Sequence, residues 1–327
     1  MKPALSVIFF TTASGAGYGM LFWLGVLDAF GLMPPAMWFG PIGIGIAMAL
    51  ASAGLMASTF HLGRPERAWR AISQWRTSWL SREGIVALLA YIPAAGFFAA
   101  WLAVGAGAPL TRAFGLLAAL AGVATVVCTA MIYGSLKPIR QWHNRFIIPN
   151  YLLLGAFSGA ACLAALAVFW QPGPARIAAV IAVVAGVAGA AGKLAYWRFI
   201  DGTRGVSTME SATGLGGLGP VRMLESPNSE ENYLLREMGF RIGRKHAGNL
   251  RVIALALGFA LPVLLLIAGA GLAEGTGLVL LPVAALCALL GLYVERWLFF
   301  AQATHTVTLY YGRPDCGRRE GRPQSSG

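Results

Sequence analysis

Eight apolar runs, each long enough to cross a bilayer, limit this chain to one kind of architecture before any other feature is considered. They are Leu5–Phe30, Ala36–Phe60, Glu83–Val104, Ala113–Gly134, Pro149–Trp170, Ile177–Tyr196, Leu250–Leu272 and Leu278–Phe300. A hydrocarbon layer of roughly 30 Å is crossed by about 20 helical residues. Within that layer the backbone must satisfy its own hydrogen bonds, which leaves the α-helix as the spanning element for runs of this length. With 57% hydrophobic and 12% charged residues among 327, the chain has too little polar surface to cover its apolar surface as a soluble domain. The expected fold is an all-α polytopic membrane protein, a bundle of eight transmembrane helices. The first run is too long for the apolar core of a signal peptide and is read as a retained span.

Charge sets the expected orientation. A net charge of +12 in such a chain is not a nucleic-acid signature and has to be sorted by connector. Of 25 Lys and Arg, Arg112 and Arg176 fall on one side, Lys193 and Arg296 lie inside spans, and the rest fall on the other side. Short connectors on that basic side carry Arg64, Arg67, Arg70, Arg76, Arg82, Lys137, Arg140 and Arg145. Lys and Arg resist translocation, so this side is expected to be cytoplasmic, with both termini on it. The opposite face has only short turns such as Gly31–Pro35 and Gly173–Arg176. The expected organisation is a membrane domain over residues 1–311 and a basic tail over 312–327. A cytoplasmic insertion, residues 197–249, is read as a docking element. Its first part, Trp197–Gly219, is Gly- and Ser-rich without a helical period. In its second part Ser229 is placed to cap a short amphipathic helix, which serves either as a surface-lying helix or in docking.

The chemistry concentrates in the connector His61–Ile85, which holds five arginines, three tryptophans, one histidine and two glutamates. His61 closes the second run and Glu83 opens the third, so antiparallel spans set them at similar depth at one interface. Quinone chemistry calls for such a pair, because each two-electron step moves two protons. A histidine that titrates near neutrality can hold a quinone oxygen and pass its proton, and a carboxylate at the membrane edge can relay that proton to water. Each residue also has a plainer reading. His61 fits an interfacial position, and Glu83 fits the positive end of a helix dipole.

Arg64, Trp69, Arg82 and His143 are the further candidates to hold the ring. Arginines here also serve as topology anchors, and Trp69, Trp75 and Trp79 as an aromatic belt. Pro65 suits the first turn of an interfacial helix, where Glu66 and Arg70, four apart, are spaced to pair. Trp142 and His143 in the connector Gly134–Phe146 can wall the site. Inside the spans, Lys193, Glu295 and Arg296 are expected to face the bundle or a wet cavity, where they can extend a proton path. For Lys193, snorkelling to the interface is the favoured alternative.

Cys128, Cys162, Cys287 and Cys316 form no CxxC, so neither zinc nor an iron–sulfur cluster is expected in this chain. A b-type haem needs histidines well inside the spans, whereas His61, His143, His246 and His305 all lie at or beyond span ends. A secondary transporter would want matching broken helices and mid-membrane polar groups, which are scarce here. A purely mechanical anchor is a third alternative.

HLGRPERAWRA followed by WLSREG resembles the signature of the membrane-anchor subunits of DMSO reductase-type molybdoenzymes. That resemblance implies an anchor in a bacterial inner membrane without a cofactor of its own. It would bind ubiquinone or menaquinone and exchange electrons with a four-cluster iron–sulfur subunit, which in turn serves a molybdopterin catalytic subunit. The family's quinone-site histidine and glutamate match His61 and Glu83. KLAYWRFID (Lys193–Asp201) and ENYLLREMGFRIGRKHA (Glu231–Ala247) are similar to the branch that serves a cytoplasmic sulfite-oxidising enzyme. The other branch implies a menaquinol-oxidising anchor of an S- or N-oxide reductase. A reduced-minus-oxidised spectrum of the purified subunit is expected to lack a b-type band; the presence of one would contradict the histidine reading.

Overall fold

The computed structural model describes residues 3–60, 63–203, 207–222, 224–225, 246–271 and 275–311. Among these residues eight helices are long and apolar enough to span a membrane: α1 (Leu5–Ala29), α2 (Phe39–Thr59), α3 (Trp79–Val104), α4 (Pro109–Gly134), α5 (Ile147–Ala167), α6 (Pro172–Gly202), α7 (Ala247–Gly271) and α8 (Gly277–Ala301). Among the described residues there is no strand. His61, Ser229 and the tail 312–327 lie outside the described residues.

Helix ends differ from the apolar runs where polar residues extend a helix beyond hydrocarbon. α3 starts at Trp79, so Glu83 is not its first residue. Ser78 caps that start, accepting from the Ser81 N–H at 3.4 Å. α6 runs to Gly202, so Trp197–Gly202, expected to be irregular, are its last turns. Tyr196 and Trp197 are buried there, and packing rather than hydropathy carries the helix on. Beyond it Thr208 starts a five-residue helix, Met209–Thr213, with a reciprocal capping box to Ser211.

α1 is the axis of the bundle and packs against α2, α4, α5 and α8. Its sequence TTASGAGYG is rich in small residues, which let membrane helices approach backbone to backbone. A Cβ on Gly19 would overlap the Gly155 carbonyl of α5, and one on Gly159 would overlap Gly19 itself. A similar approach joins α7 to α8, where Gly258 lies against Gly291. At that contact α7 widens into a π turn, Ala256–Ala260, just ahead of Pro262, whose ring would clash with a regular helix.

Each membrane face is tied differently. On one face Asp28, fully buried at the end of α1, accepts from the Gly107 N–H of the α3–α4 turn at 2.8 Å. On the other the α4–α5 connector is bound to the end of α8. Trp142 Nε1 donates to the Phe299 carbonyl at 3.1 Å, and Gln141 Nε2 to the Thr304 hydroxyl at 2.6 Å. Replacing Gly19 with Leu is expected to destabilise the bundle by roughly 3 kcal/mol or more through backbone overlap. Gly45→Ala, whose Cβ meets open space, should be silent. Thermal unfolding of the two variants in detergent, run against the parent, checks the contrast.

Candidate functional site

The Pro65–Gln74 segment forms a 3-10 helix lying as a lip over the start of α3. Ser81 donates to the Ala71 carbonyl, and Arg82 donates to the carbonyls of Trp75 (2.9 Å) and Arg76 (2.7 Å) while its guanidinium sits 4.3 Å from the Trp79 ring. Because a 3-10 helix has three residues per turn, Glu66 and Arg70 do not align as they would in an α-helix. Glu66 instead lies 3.9 Å from Arg67, and Arg70 sits 5.5 Å from the Trp69 ring.

Glu83 points inward, on the α3 face that also buries Ser81, Ala87 and Ala90 against α4. It is 3% exposed and accepts a hydrogen bond from the Thr129 hydroxyl of α4. Among the described residues no cation pairs with it. The carboxyl group is close enough to Tyr18, Tyr133 and Tyr151 to act on them electrostatically. The Thr129 oxygen also lies 3.1 Å from the Thr125 carbonyl. Its single proton can therefore go either to Glu83 or to the backbone. In the second arrangement the hydroxyl accepts from a protonated Glu83, so the pair has a complete hydrogen-bond pattern in both protonation states.

Thr129 also lines a narrow, partly open cleft of about 20 Å³ between α1, α4, α5 and α8. Its polar lining is Thr11, Thr12, Ser14, Thr129, Tyr151, Ser158 and Arg296, and its apolar lining includes Val126, Leu154 and Leu292. The opening passes Thr12 and Gly15, the two half-buried members of the lining. Most of these lie toward the helix ends that carry the 65–74 lip, with Gly15 and Ser158 near mid-span.

Behind the cleft stands a buried ion triad. Lys193 of α6 and Glu295 and Arg296 of α8 are 1%, 0% and 4% exposed. Lys193 pairs with one carboxylate oxygen of Glu295, and Arg296 Nε donates to the other at 2.6 Å. The expectation that Lys193 snorkels is therefore wrong. Its ammonium turns inward, 4.2 Å from the Tyr196 ring, because the Glu295 carboxylate of α8 waits there. The Arg296 guanidinium lies 4.3 Å from the Tyr151 ring. Asn150, Lys193, Tyr196 and Arg296 pack beside the cleft without room for a water, and Tyr151 and Arg296 border both regions.

The remaining candidates from the sequence stay at the surface. Arg64 is exposed and Trp69 is 68% exposed, while Arg82 is half-buried in the bonds already given. His143 is exposed and its Nδ1–H donates to the Gly134 carbonyl at 2.6 Å, closing the end of α4. Neighbouring Trp142 is buried, stacked on Phe299 at 5.7 Å. Among the described residues none of Arg64, Trp69 and His143 contacts Glu83. Sequence reasoning missed Thr11, Thr12, Ser14, Thr129 and Tyr151. A run of hydroxyls in an otherwise apolar first span was the available signal. Cys128 is buried and Cys162 and Cys287 half-buried, all as free thiols.

These features define a class: a multi-pass α-helical membrane protein with a polar cleft and buried ionisable groups gathered near one face. Residues 1–312 match the profile of the DMSO reductase anchor subunit (DmsC) family. The chain belongs to that family. It is also 38% identical to a sulfite dehydrogenase subunit of Allochromatium vinosum, over 95% of this chain and 99% of that protein.

The triad carries a stability prediction. Glu295→Ala leaves two buried cations facing each other and should cost roughly 3–5 kcal/mol, the range for removing one partner of a buried pair. Thermal unfolding and yield of the detergent-solubilised protein measure it, and an unchanged midpoint would contradict the pairing.

Proposed function

We propose that this chain is the quinone-reactive membrane anchor of a molybdopterin oxidoreductase complex, and that it passes electrons between a four-cluster iron–sulfur subunit and the quinone pool. The observation that carries the reading is Glu83: a buried carboxyl group with no cation partner among the described residues, hydrogen-bonded to a hydroxyl that lines a cleft near the membrane surface. A carboxyl kept out of water in a span marks a proton or substrate path more often than a structural need. His61, at the other end of the same hairpin, would hold a quinone oxygen, and Glu83 would exchange the proton. Arg64, Trp69, Arg82 and His143 would form the outer rim.

The likeness to the Allochromatium sulfite dehydrogenase protein supports sulfite as the electron source. Sulfite and water give sulfate, two protons and two electrons, and a quinone takes two electrons and two protons to become the quinol. The family match also supports a second reading, a menaquinol-oxidising anchor of an S- or N-oxide reductase, with the flow reversed. Under either reading the anchor resides in a bacterial inner membrane. The basic connectors and both termini would face the cytoplasm, where the segment 197–249 and the tail 312–327 would receive the partner subunits.

In the assembled complex, His61→Ala and Glu83→Gln should each lower quinone-coupled turnover by roughly 10²-fold, the low end for loss of a general acid or base. Dye-coupled turnover of the soluble subunits should persist. Unchanged quinone-coupled rates in both variants would refute the assignment.

A further inference from the structure

We propose that Thr129 is the positioning residue for Glu83: its hydroxyl turns between that carboxyl and the backbone, so the acid gains and loses its proton in place. The inference rests on the quinone reading above and says how the proton-exchanging group works without leaving the bundle.

The seam between α3 and α4 leads to it. The two helices pack extensively, and Glu83 and Thr129 are 3% and 5% exposed within the contact. Tyr18 of α1, Cys128 and Tyr133 of α4 and Tyr151 of α5 feel the carboxyl electrostatically. Among the described residues none of them donates a hydrogen bond to it, and Thr129 does. Arg82, the neighbour on α3, directs its guanidinium to the carbonyls of Trp75 and Arg76. Glu66, Arg67 and Arg70 of the lip are exposed, and α2 carries no titratable side chain.

A buried carboxylate needs a donor, and a buried carboxylic acid needs an acceptor. Thr129 meets both needs. Facing the carboxylate, its hydroxyl donates to Glu83 Oε1. Turned to its own helix, it donates to the Thr125 carbonyl 3.1 Å away, and its lone pair accepts from the Glu83 O–H. The Thr125 hydroxyl does not compete, because it donates to the Ala121 carbonyl at 2.9 Å. Thr129 keeps its own proton throughout, and the proton that comes and goes is the one on Glu83. A hydroxyl rotation thus replaces a swing of the carboxyl.

The narrow cleft gives this arrangement a signature. Thr129 borders it, and its space suffices for about one water. Thr129→Val puts a methyl where the hydroxyl was, which leaves Glu83 without that donor and closes the place to water. Thr129→Ala joins the vacated space to the cleft, so a water can stand in for the hydroxyl. Hydrogen bonding and packing therefore order the two variants oppositely. If Thr129 only fills the seam, Thr129→Val is the milder change, because Thr129→Ala opens a cavity.

The test uses the purified complex with decylubiquinone as acceptor. It reads kcat and KM against pH, with dye-coupled turnover as the assembly control and the unfolding midpoint as the packing control. Thr129→Val should lower kcat by roughly ten- to a hundredfold, the loss of one hydrogen bond to a charged group, with KM little changed. It should also move the pH of half-maximal turnover by about one unit or more. Thr129→Ser should restore both, and Thr129→Ala should fall between. A parent-like pH profile in Thr129→Val, or a ranking of the variants that follows the unfolding midpoint, would overturn the positioning role alone. If Thr129→Val fails to assemble, the infrared carbonyl band of protonated Glu83, assigned by its loss in Glu83→Gln, decides. It should shift in Thr129→Ala and stay in Thr129→Ser, and an unshifted band in both would overturn the role. Parent-like quinone turnover in both Glu83→Gln and His61→Ala would overturn the quinone reading and this role with it.

Discussion

Each carboxylate oxygen of Glu295 faces its own cation, and the setting of α6 and α8 follows from that pairing. An ion withdrawn from water costs several kcal/mol even after relaxation, so three of them inside a bundle persist only where the geometry closes. α6 must turn Lys193 toward α8, and α8 must turn Glu295 toward α6. Consecutive helical residues are about 100° apart around the axis, so aiming Glu295 at α6 aims Arg296 elsewhere. It points with Leu292, one turn earlier, at the cleft. The ion pairing that fixes the helices thereby delivers a guanidinium to that cleft.

α1 supplies the other half of the arrangement. Its glycines let α5 approach until backbone meets backbone, and its hydroxyls keep that face from needing water because each bonds to a carbonyl of its own helix. Where Gly15 looks outward nothing replaces the missing side chain, and the cleft opens there. Small residues therefore both tighten the core and leave the space beside it. In hydrocarbon, where apolar surface gives helices no reason to prefer each other over lipid, such shape is a main source of specificity.

The sequence revealed what depends on composition along one segment. Eight spans followed from hydropathy, and a helical lip from Pro65. Glu83 stood out as a carboxyl at a span end. What it missed depends on contacts between distant segments. Thr129 lies on the neighbouring helix, and nothing in the period of α4 marks it as the partner of Glu83. Lys193 reads alone as a snorkelling lysine because its carboxylate is on another helix. Glu295 and Arg296 broke a local rule as well. Adjacent helical residues do not normally face each other, yet here burial bends the arginine back onto its neighbour. The α6 end was misplaced for a related reason: Tyr196 and Trp197 look interfacial by type but are core by position.

The two faces of the bundle are unequal, and the inequality bears on energetics. The lip, Glu83, the cleft and the triad all lie toward one set of helix ends, while the far face holds Asp28 in a turn-capping bond. With partner subunits docking on the near face, as proposed, electrons would arrive on the side that also supplies protons through Glu83. Neither charge would then cross the hydrocarbon, and the membrane potential would do no work on the reaction. A chain that moved protons across would need ionisable groups strung from face to face. Among the described residues, the middle of the bundle between Asp28 and the triad is mostly apolar packing (Met20, Leu24, Phe157, Ala160), with Tyr18 as its one large polar side chain and no charged group. The proposed role, an anchor exchanging reducing equivalents with the lipid pool at a single surface, would call for this one-sided arrangement.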